Sequence, residues 1–480
     1  MVPLGKYVAA TLVLGAVASD SFNVLQHLGG NGQWFPGPDI TGISSDVPAG
    51  CKVDLFASFS RHGSRYPDTG AYKEWTDLYY RIQAAGNLTI TDSKLAFLSS
   101  WKPVLTDPDQ QIAQLSTTGY KELYDMGATF RLRYSHLYDY NTNLTLWANY
   151  YKSSPRVRDS ARLFARGFLG PNATDLGTIY ALNSSDSRSF MNSLATSDLC
   201  PTYSDSGGSP YKDTWDSHYL PPIQNRLNGH IHGSFNLTQT DVSIIPYLCG
   251  FETQITGGTS PFCSVFTEAE ILQYEYAQDL RYWYGNGLGT DVEKYMMLPV
   301  LDGLVQRFVD GPNKTYVDEE GEVFKPPRVM VSFTNDGQVN QLIAALGVFD
   351  GEEQLPAAMI PENRLFRASN LVRMRGTVGF ERLSCSSSSS GSAGYGNGSR
   401  DGVYIRIVLN DVVYPVAGCK SGPGSSCPLA EYRKIVKGKL AEAGNFGKLC
   451  NVTDSSIPSN RSNVTFFTNP DLPFAIIVKP

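Results

Sequence analysis

Three short segments, SRHGSRYP (60 to 67), SSPRVRD (153 to 159) and TNDGQ (334 to 338), concentrate the residues of this chain that are equipped for chemistry. They hold one imidazole, His62, the guanidiniums of Arg61, Arg65, Arg156 and Arg158, and one carboxyl, Asp336, preceded by Asn335. Guanidinium forks match phosphate oxygens two at a time and stay charged at any relevant pH, so several around one point make a fixed anion clamp. Gly63 leaves room for backbone N–H groups to approach the same anion. An imidazole inside the clamp can attack phosphorus and carry the phosphoryl group, while a carboxylic acid protonates the departing alkoxide. The set fits a small-molecule phosphomonoester as substrate, and it calls for no metal and no cofactor because the arginines already neutralise the charge.

Each segment alone has a plainer reading. RHGSR is a solvated basic loop, Arg156 and Arg158 are surface residues near a helix start, and Asp336-Gly337 is a turn whose aspartate caps the next helix. The elements in front of them change the balance. CKVDLFASFS (51 to 60), LTLWANYYKSS (144 to 154) and RVMVSFTND (328 to 336) read as buried strands, each followed by a turn and a helical pattern. RDSARLFARGFLG puts Ala161, Phe164, Ala165 and Phe168 on one face, and QVNQLIAALGVF puts Val339, Leu342, Ile343 and Leu346 in helical register. Repeated strand-turn-helix units predict an α/β domain with a mostly parallel central sheet flanked by helices. In such a sheet, ligands bind beyond the carboxyl ends of the strands, where all three segments lie.

Between 181 and 319 the pattern turns helical, with EAEILQYEYAQDLRYWYGNG and DVEKYMMLPVLDGLVQRFV as helices. This predicts an inserted helical domain that divides the α/β domain into 45–180 and 320–480. GVYIRIVLNDVVYPV (402 to 416) reads as a β-hairpin about Asn410-Asp411, and CSSSSSGSAGYGNGSR before it as a flexible loop.

The chain's 480 residues suffice for one large domain or two moderate ones, and its formal charge of −6 offers no general attraction to nucleic acid or anionic lipid. Any bound anion must be held locally. The opening MVPLGKYVAATLVLGAVASD has one lysine, a short apolar stretch and then small residues, which predicts a secretory signal peptide over 1–19. No run approaches the roughly 20 apolar residues of a membrane span. Sequons begin at Asn87, Asn143, Asn172, Asn183, Asn236, Asn313, Asn397, Asn451, Asn460 and Asn463, as on a glycosylated surface. The eight cysteines form no C-x-x-C pair and predict disulfides rather than zinc ligation, and the expected location is secreted, extracellular or cell-wall associated. Spacing favours only the local pairs Cys249 with Cys263 and Cys419 with Cys427. His27, His136, His218, His230 and His232 have no setting comparable to that of His62, and His230-x-His232 reads as a polar loop rather than a metal pair.

RHGSRYP closely resembles the RHGxRxP signature of the histidine acid phosphatases, the group that contains fungal acid phosphatases and phytases. GGNGQWFPGPDITGISSDVPAGC, SSPRVRDSARLF, IAALG and GCKSGPGSSCPLAEY resemble secreted fungal members of the low-pH-optimum type, so the likeness covers nearly the whole mature chain. The resemblance implies a phosphoglycerate-mutase-like fold with an inserted helical domain. It implies His62 as the nucleophile forming a phosphohistidine, Arg61, Arg65 and Arg156 as phosphate ligands, and Asp336 as the proton donor. It also implies disulfides Cys51–Cys385, Cys200–Cys450, Cys249–Cys263 and Cys419–Cys427.

The departure is Asn335, where most members carry a histidine that also contacts the phosphate. Asparagine keeps an N–H donor but never a positive charge. Losing one such donor costs roughly 2.7 to 4 kcal/mol in a preorganised site, and the amide offsets part of this. The leading expectation is a secreted acid phosphatase with an acidic pH optimum, with phytate among its candidate substrates. The alternatives are a catalytically weakened member that binds phosphorylated ligands and a mutase-like transferase, the latter opposed by the signs of export.

Overall fold

The computed structural model describes residues 22–152, 154–318, 320–386 and 402–480. The signal-peptide expectation over 1–19 and the Asn397 sequon lie outside them. The main sheet is built from β1 (Cys51–Arg61), β2 (Leu144–Asn149), β3 (Gly177–Leu182), β4 (Val329–Thr334), β5 (Thr377–Cys385), β6 (Gly402–Leu409), β7 (Val412–Tyr414), β8 (Cys427–Pro428) and β9 (Ala475–Val478). Its order is β7-β6-β5-β1-β4-β2-β3-β9, with β8 paired to β6. The four central strands, β1, β4, β2 and β3, run parallel, and antiparallel strands complete both edges. The fold is the α/β arrangement expected, a mixed central sheet flanked by helices.

Period-two alternation explains how the strands hold both layers apart. In β1, Leu55, Ala57 and Phe59 face one core, while Phe56 faces the other across a bulge between Val53 and Leu55. Trp147 and Met330 join the first core; Leu146, Ala148, Val331 and Phe333 join the second. The second core is closed by α2 (Thr117–Arg133) and α3 (Arg156–Leu169) after α1 (Thr69–Ala84) has left β1. The first is closed by α4 (Ser209–Asn228), α5 (Gln239–Thr256), α6 (Glu268–Asn286), α7 (Leu298–Asp310), α8 (Asp336–Ala345) and α9 (Leu429–Ala443). Helix α1 joins this larger layer, where Trp75 packs edge-on against Tyr247 and Phe251 of α5 at 5.9 and 5.7 Å.

Two strands are shorter than their apolar runs. β2 stops at Asn149, opposite Leu182 where its partner β3 also stops, so the rest of the apolar run lies outside the strand. β4 stops at Thr334, so Asn335 and Asp336 belong to the start of α8 and not to the strand. At the other edge, Asn410 and Asp411 both take positive φ, 47° and 70°, which gives the tight hairpin between β6 and β7 its twist. The disulfides are Cys51–Cys385, which ties the first residue of β1 to the last of β5, Cys200–Cys450, Cys249–Cys263 and Cys419–Cys427. The sequon asparagines at 87, 143, 172, 236, 313, 451, 460 and 463 are exposed and Asn183 is half-buried.

Candidate active site

Parallel register carries the carboxyl ends of β1 and β4 to one level, Arg61 beside Thr334, and the backbone continues the match as His62 N–H donates to the Thr334 carbonyl at 3.1 Å. Arg375 N–H closes on the His62 carbonyl from the opposite side at 2.9 Å. The His62 peptide is therefore fixed on both edges before its side chain is considered. Its imidazole is 1% exposed. Nδ1 lies 2.9 Å from the Gly63 carbonyl, which only accepts, so Nδ1 carries the proton and Nε2 is left with a free lone pair.

The loop after His62 is held by close packing and by one buried carboxylate. A Cβ on Gly63 would fall 2.2 Å from Leu123 Cδ2, and one on Gly119 would fall 2.0 Å from the Ser64 carbonyl, so both positions require glycine for α2 to approach. Glu122, one helical turn on, accepts from Ser64 N–H at 2.7 Å, Ser64 Oγ–H at 2.8 Å and Trp34 N–H at 3.1 Å. Burial pushes the Glu122 carboxyl up, and these donors offset only part of the rise. Ser160 of α3 accepts from Gly63 N–H at 3.2 Å while donating to the Arg156 carbonyl at 2.8 Å, which joins two of the three segments through one hydroxyl.

Arg61, Arg65 and Arg156 surround His62. Arg61 is 2% exposed; its Nη1 donates to the carbonyls of Gly30 and Val372, the latter at 2.8 Å, and its Nη2 lies 3.3 Å from Asp336 Oδ2. Arg65 donates to the Tyr66 carbonyl at 2.9 Å and sits over the Phe251 ring. Arg156 opens α3 and reaches Ser154 Oγ. The Nε of each of the three is buried without a hydrogen-bond partner among the described residues, a cost that a bound anion would remove. Arg158 lies apart, engaged with Asp159 at 3.3 Å.

Burial first, then Arg156, Arg61 and Arg65, hold the His62 imidazolium well below its ordinary range, so the free side chain is neutral in mild acid. Burial and the neighbouring Arg65 and Arg61 likewise bring Arg156 down to about 10. Three cations packed this closely repel one another, and a phosphate dianion relieves the repulsion.

Asp336 opens α8 and its Oδ2 accepts from the Tyr282 hydroxyl at 2.6 Å. Burial pushes its carboxyl up, but Arg61, the Tyr282 hydroxyl and Arg281 outweigh this and keep it well below the usual aspartate range. Asn335 stands at the N-cap position but its side chain caps nothing, and its Oδ1 is buried without a partner. The plain reading of this turn as a helix cap is thus not what the side chains do. The unpartnered atom of the amide is the acceptor Oδ1, and two helix N-termini, of α3 and α8, add their dipoles to the anion site.

Reasoning from sequence alone missed Tyr282, Glu122 and Ser160. Glu122 and Ser160 read as ordinary helix residues, and Tyr282 as one aromatic among many in YEYAQDLRYWYGNG; none carries a signal without the packing. Among the described residues, no group of three or more His, Cys, Asp or Glu is placed to hold a metal ion.

The model of the histidine phosphatase superfamily (branch 2) matches residues 53–410. A phytase of Candida albicans is 29% identical over 93% of this chain and 90% of its own length. An acid phosphatase of Komagataella pastoris is 31% identical over 90% of this chain and 87% of its own. The crystal structure of the phytase from D. castellii superposes with a TM-score of 0.79 at 27% identity, covering 93% of this chain and 90% of that one. With the match spanning both halves of the site, from the arginine-flanked histidine just past β1 to the aspartate that opens α8, the chain belongs to branch 2 of the histidine phosphatase superfamily.

Proposed function

We propose that this protein is an exported acid phosphatase that hydrolyses phosphomonoesters through a phosphohistidine on His62. The observation that carries the reading is the neutral, tautomer-fixed imidazole at the centre of three buried or half-buried guanidiniums. The phosphate occupies the clamp of Arg61, Arg65 and Arg156, with the Asn335 amide as a further donor. His62 Nε2 attacks phosphorus, the ester P–O bond breaks, and protonated Asp336 gives its proton to the leaving alkoxide. Water then attacks the phosphohistidine, Asp336 carboxylate takes the proton from that water, and inorganic phosphate departs.

The pH dependence follows from the same contacts. A bound phosphate dianion competes for Arg61 and adds negative charge beside Asp336, so the carboxyl rises from its depressed position and acid supplies the proton. His62 stays neutral at pH values where an ordinary histidine is charged. Both effects place the optimum in acid.

Export is supported by four disulfides, by the exposed sequon asparagines and by the secretory character of the opening residues. No helix among the described residues is long and apolar enough to cross a membrane. The intact set of nucleophile, clamp and acid favours an active enzyme over a binding protein. The deciding experiment is hydrolysis of p-nitrophenyl phosphate by purified protein across acid and neutral pH. Activity peaking in acid, and lost by a factor on the order of 10⁴ or more in His62→Ala, is the expected outcome. A maximum above neutrality, or a His62→Ala protein that remains active, overturns the assignment.

A further inference from the structure

Asp336 borders two spaces of opposite character. On one side stand His62 and the arginine clamp. The other side is a separate cleft of about 280 Å³, into which Asp336 and Asn335 also face and which His62, Arg61, Arg65 and Arg156 do not line. A general acid must lie within hydrogen-bond reach of the ester oxygen that leaves, so the alcohol carried by that oxygen sits beside Asp336, and the cleft that Asp336 lines is the space open to it. We propose that this cleft is a leaving-group pocket for a neutral polyol, and that the preferred substrates are monophosphates of polyhydroxylated alcohols rather than ring polyphosphates. The inference rests on the phosphatase reading above and adds the substrate class to it.

The lining has the chemistry of hydroxyl recognition. Tyr151, Tyr203 and Asn286 form its walls with Asp198, Asp205 and Arg281 at the exposed rim. Asn286 Oδ1 accepts from Asn340 Nδ2 at 2.8 Å, which fixes the amide orientation. Its Nδ2 therefore turns the other way, 3.3 Å from where a side chain on Gly337 would begin, with Tyr203 Oη 3.8 Å from the same point. A donor amide and a phenol thus converge on the open space above Gly337. Asp198 accepts from Tyr151 Oη–H at 2.9 Å and Ser184 Oγ–H at 2.6 Å and remains exposed to the cleft. Carboxylates and phenols pair with alcohol hydroxyls as acceptors and donors.

Charge argues against a second phosphate. Asp336 is protonated in the cleavage step, which leaves the carboxyls of Asp198 and Asp205 against the single guanidinium of Arg281. The clamp holds the one phosphate being transferred; additional phosphates on the same ring would enter a pocket that offers them one guanidinium and two carboxyls in place of a second clamp.

The test measures kcat/KM of the purified chain at about pH 6, above the ordinary aspartate range. The substrates are p-nitrophenyl phosphate, glucose 6-phosphate and inositol hexakisphosphate, and the proteins are the parent, Asp198→Asn and Asp205→Asn. The parent is expected to favour glucose 6-phosphate over the hexakisphosphate. Each variant is expected to raise the ratio of hexakisphosphate to glucose 6-phosphate hydrolysis by roughly tenfold, the scale of one partly screened charge contact. Asp205 makes its case independently of the Tyr151–Ser184 network, so a folding defect in Asp198→Asn does not decide the outcome. A parent that prefers the hexakisphosphate, or a ratio unmoved in Asp205→Asn while p-nitrophenyl phosphate is still hydrolysed, overturns the polyol pocket and leaves the phosphatase. A parent inert toward all three overturns both.

Discussion

The clamp and the leaving-group cleft meet at Asp336 and are made in different ways. On the clamp side, His62 and Arg61 sit at the end of a central strand, 1% and 2% exposed, and Arg61 is braced by carbonyls of Gly30 and Val372. On the cleft side, Asp198 and Asp205 lie on short 3₁₀ turns, Thr196–Leu199 and Asp205–Gly208, and are exposed. Groups that must meet phosphorus to within tenths of an ångström are fixed by strands, parallel register and buried donors. Groups that only choose an alcohol stand on surface turns, where a change of side chain leaves the sheet untouched. The difference predicts that substitutions on the clamp side lower turnover of every substrate, whereas those on the cleft side redistribute activity among substrates.

The sharpest test of that division is Asp336→Asn, because the residue serves both sides. An amide cannot deliver the proton, so an alkyl phosphate whose alkoxide is a poor leaving group is expected to lose about 10³-fold or more in kcat, within the range of general acid catalysis. p-Nitrophenolate leaves without protonation, and its hydrolysis is expected to fall much less. Measuring both substrates gives the ratio directly; equal losses would place the proton donor elsewhere.

Arg156→Ala comes next. Removing a preorganised donor to the transferring phosphoryl group is expected to cost about 10² to 10³ in kcat/KM for all substrates alike. It also carries a pH signature that loss of packing does not. Arg156 is the largest of the three arginine contributions that hold His62 below its ordinary range, so without it the imidazole protonates at higher pH. The acid limb of the kcat/KM profile should therefore move upward in pH.

Much of this site was legible beforehand because its residues are tied to strand ends. The parallel strands at 51–61 and 329–334 announce themselves by apolar runs, and the segments after them fall into one place once the sheet is parallel. The hairpin at Asn410-Asp411 was equally visible, since two residues of positive φ between apolar runs leave few other options. What could not be read was whatever depends on close approach across the layers. Trp75 looks like any amphipathic helix residue until Phe251 and Tyr247 of α5 are beside it. Tyr282 lies 54 residues from Asp336 in sequence, and only the packing of α6 against α8 brings its hydroxyl to the Asp336 carboxyl. The strand ends were also overrun by two to five residues, since an apolar sequence continues past the point where its ladder partner stops.

Asn335 gives a smaller effect of opposite sign. Its side chain caps nothing, and its Oδ1 has no partner among the described residues. Asn335→His adds a donor able to carry charge, and because the amide already supplies part of that interaction the gain is a fraction of a full donor. We expect about 1 to 2 kcal/mol, or roughly 5- to 30-fold in kcat/KM, shared by all substrates as befits the clamp side. A gain confined to polyol phosphates would mean that Asn335 acts through the cleft it also lines rather than through the clamp.

Tyr282→Phe should have the smallest effect and the most specific one. The phenol's hydrogen bond to Oδ2 stabilises the carboxylate form of Asp336 and so lowers its pKa. Without it the acid form persists to higher pH, and the alkaline limb of kcat should move upward. Turnover at the optimum, where Asp336 is protonated and the bond to it is between neutral groups, should fall by less than about tenfold, since such a bond contributes around 1 kcal/mol net. A downward shift of that limb would mean that Tyr282 supports the protonated acid rather than its conjugate base. Loss of the phenol acts through the acid alone, so His62 and its acid limb should stay where they are, and the two limbs of one pH profile then report separately on the two sides of Asp336.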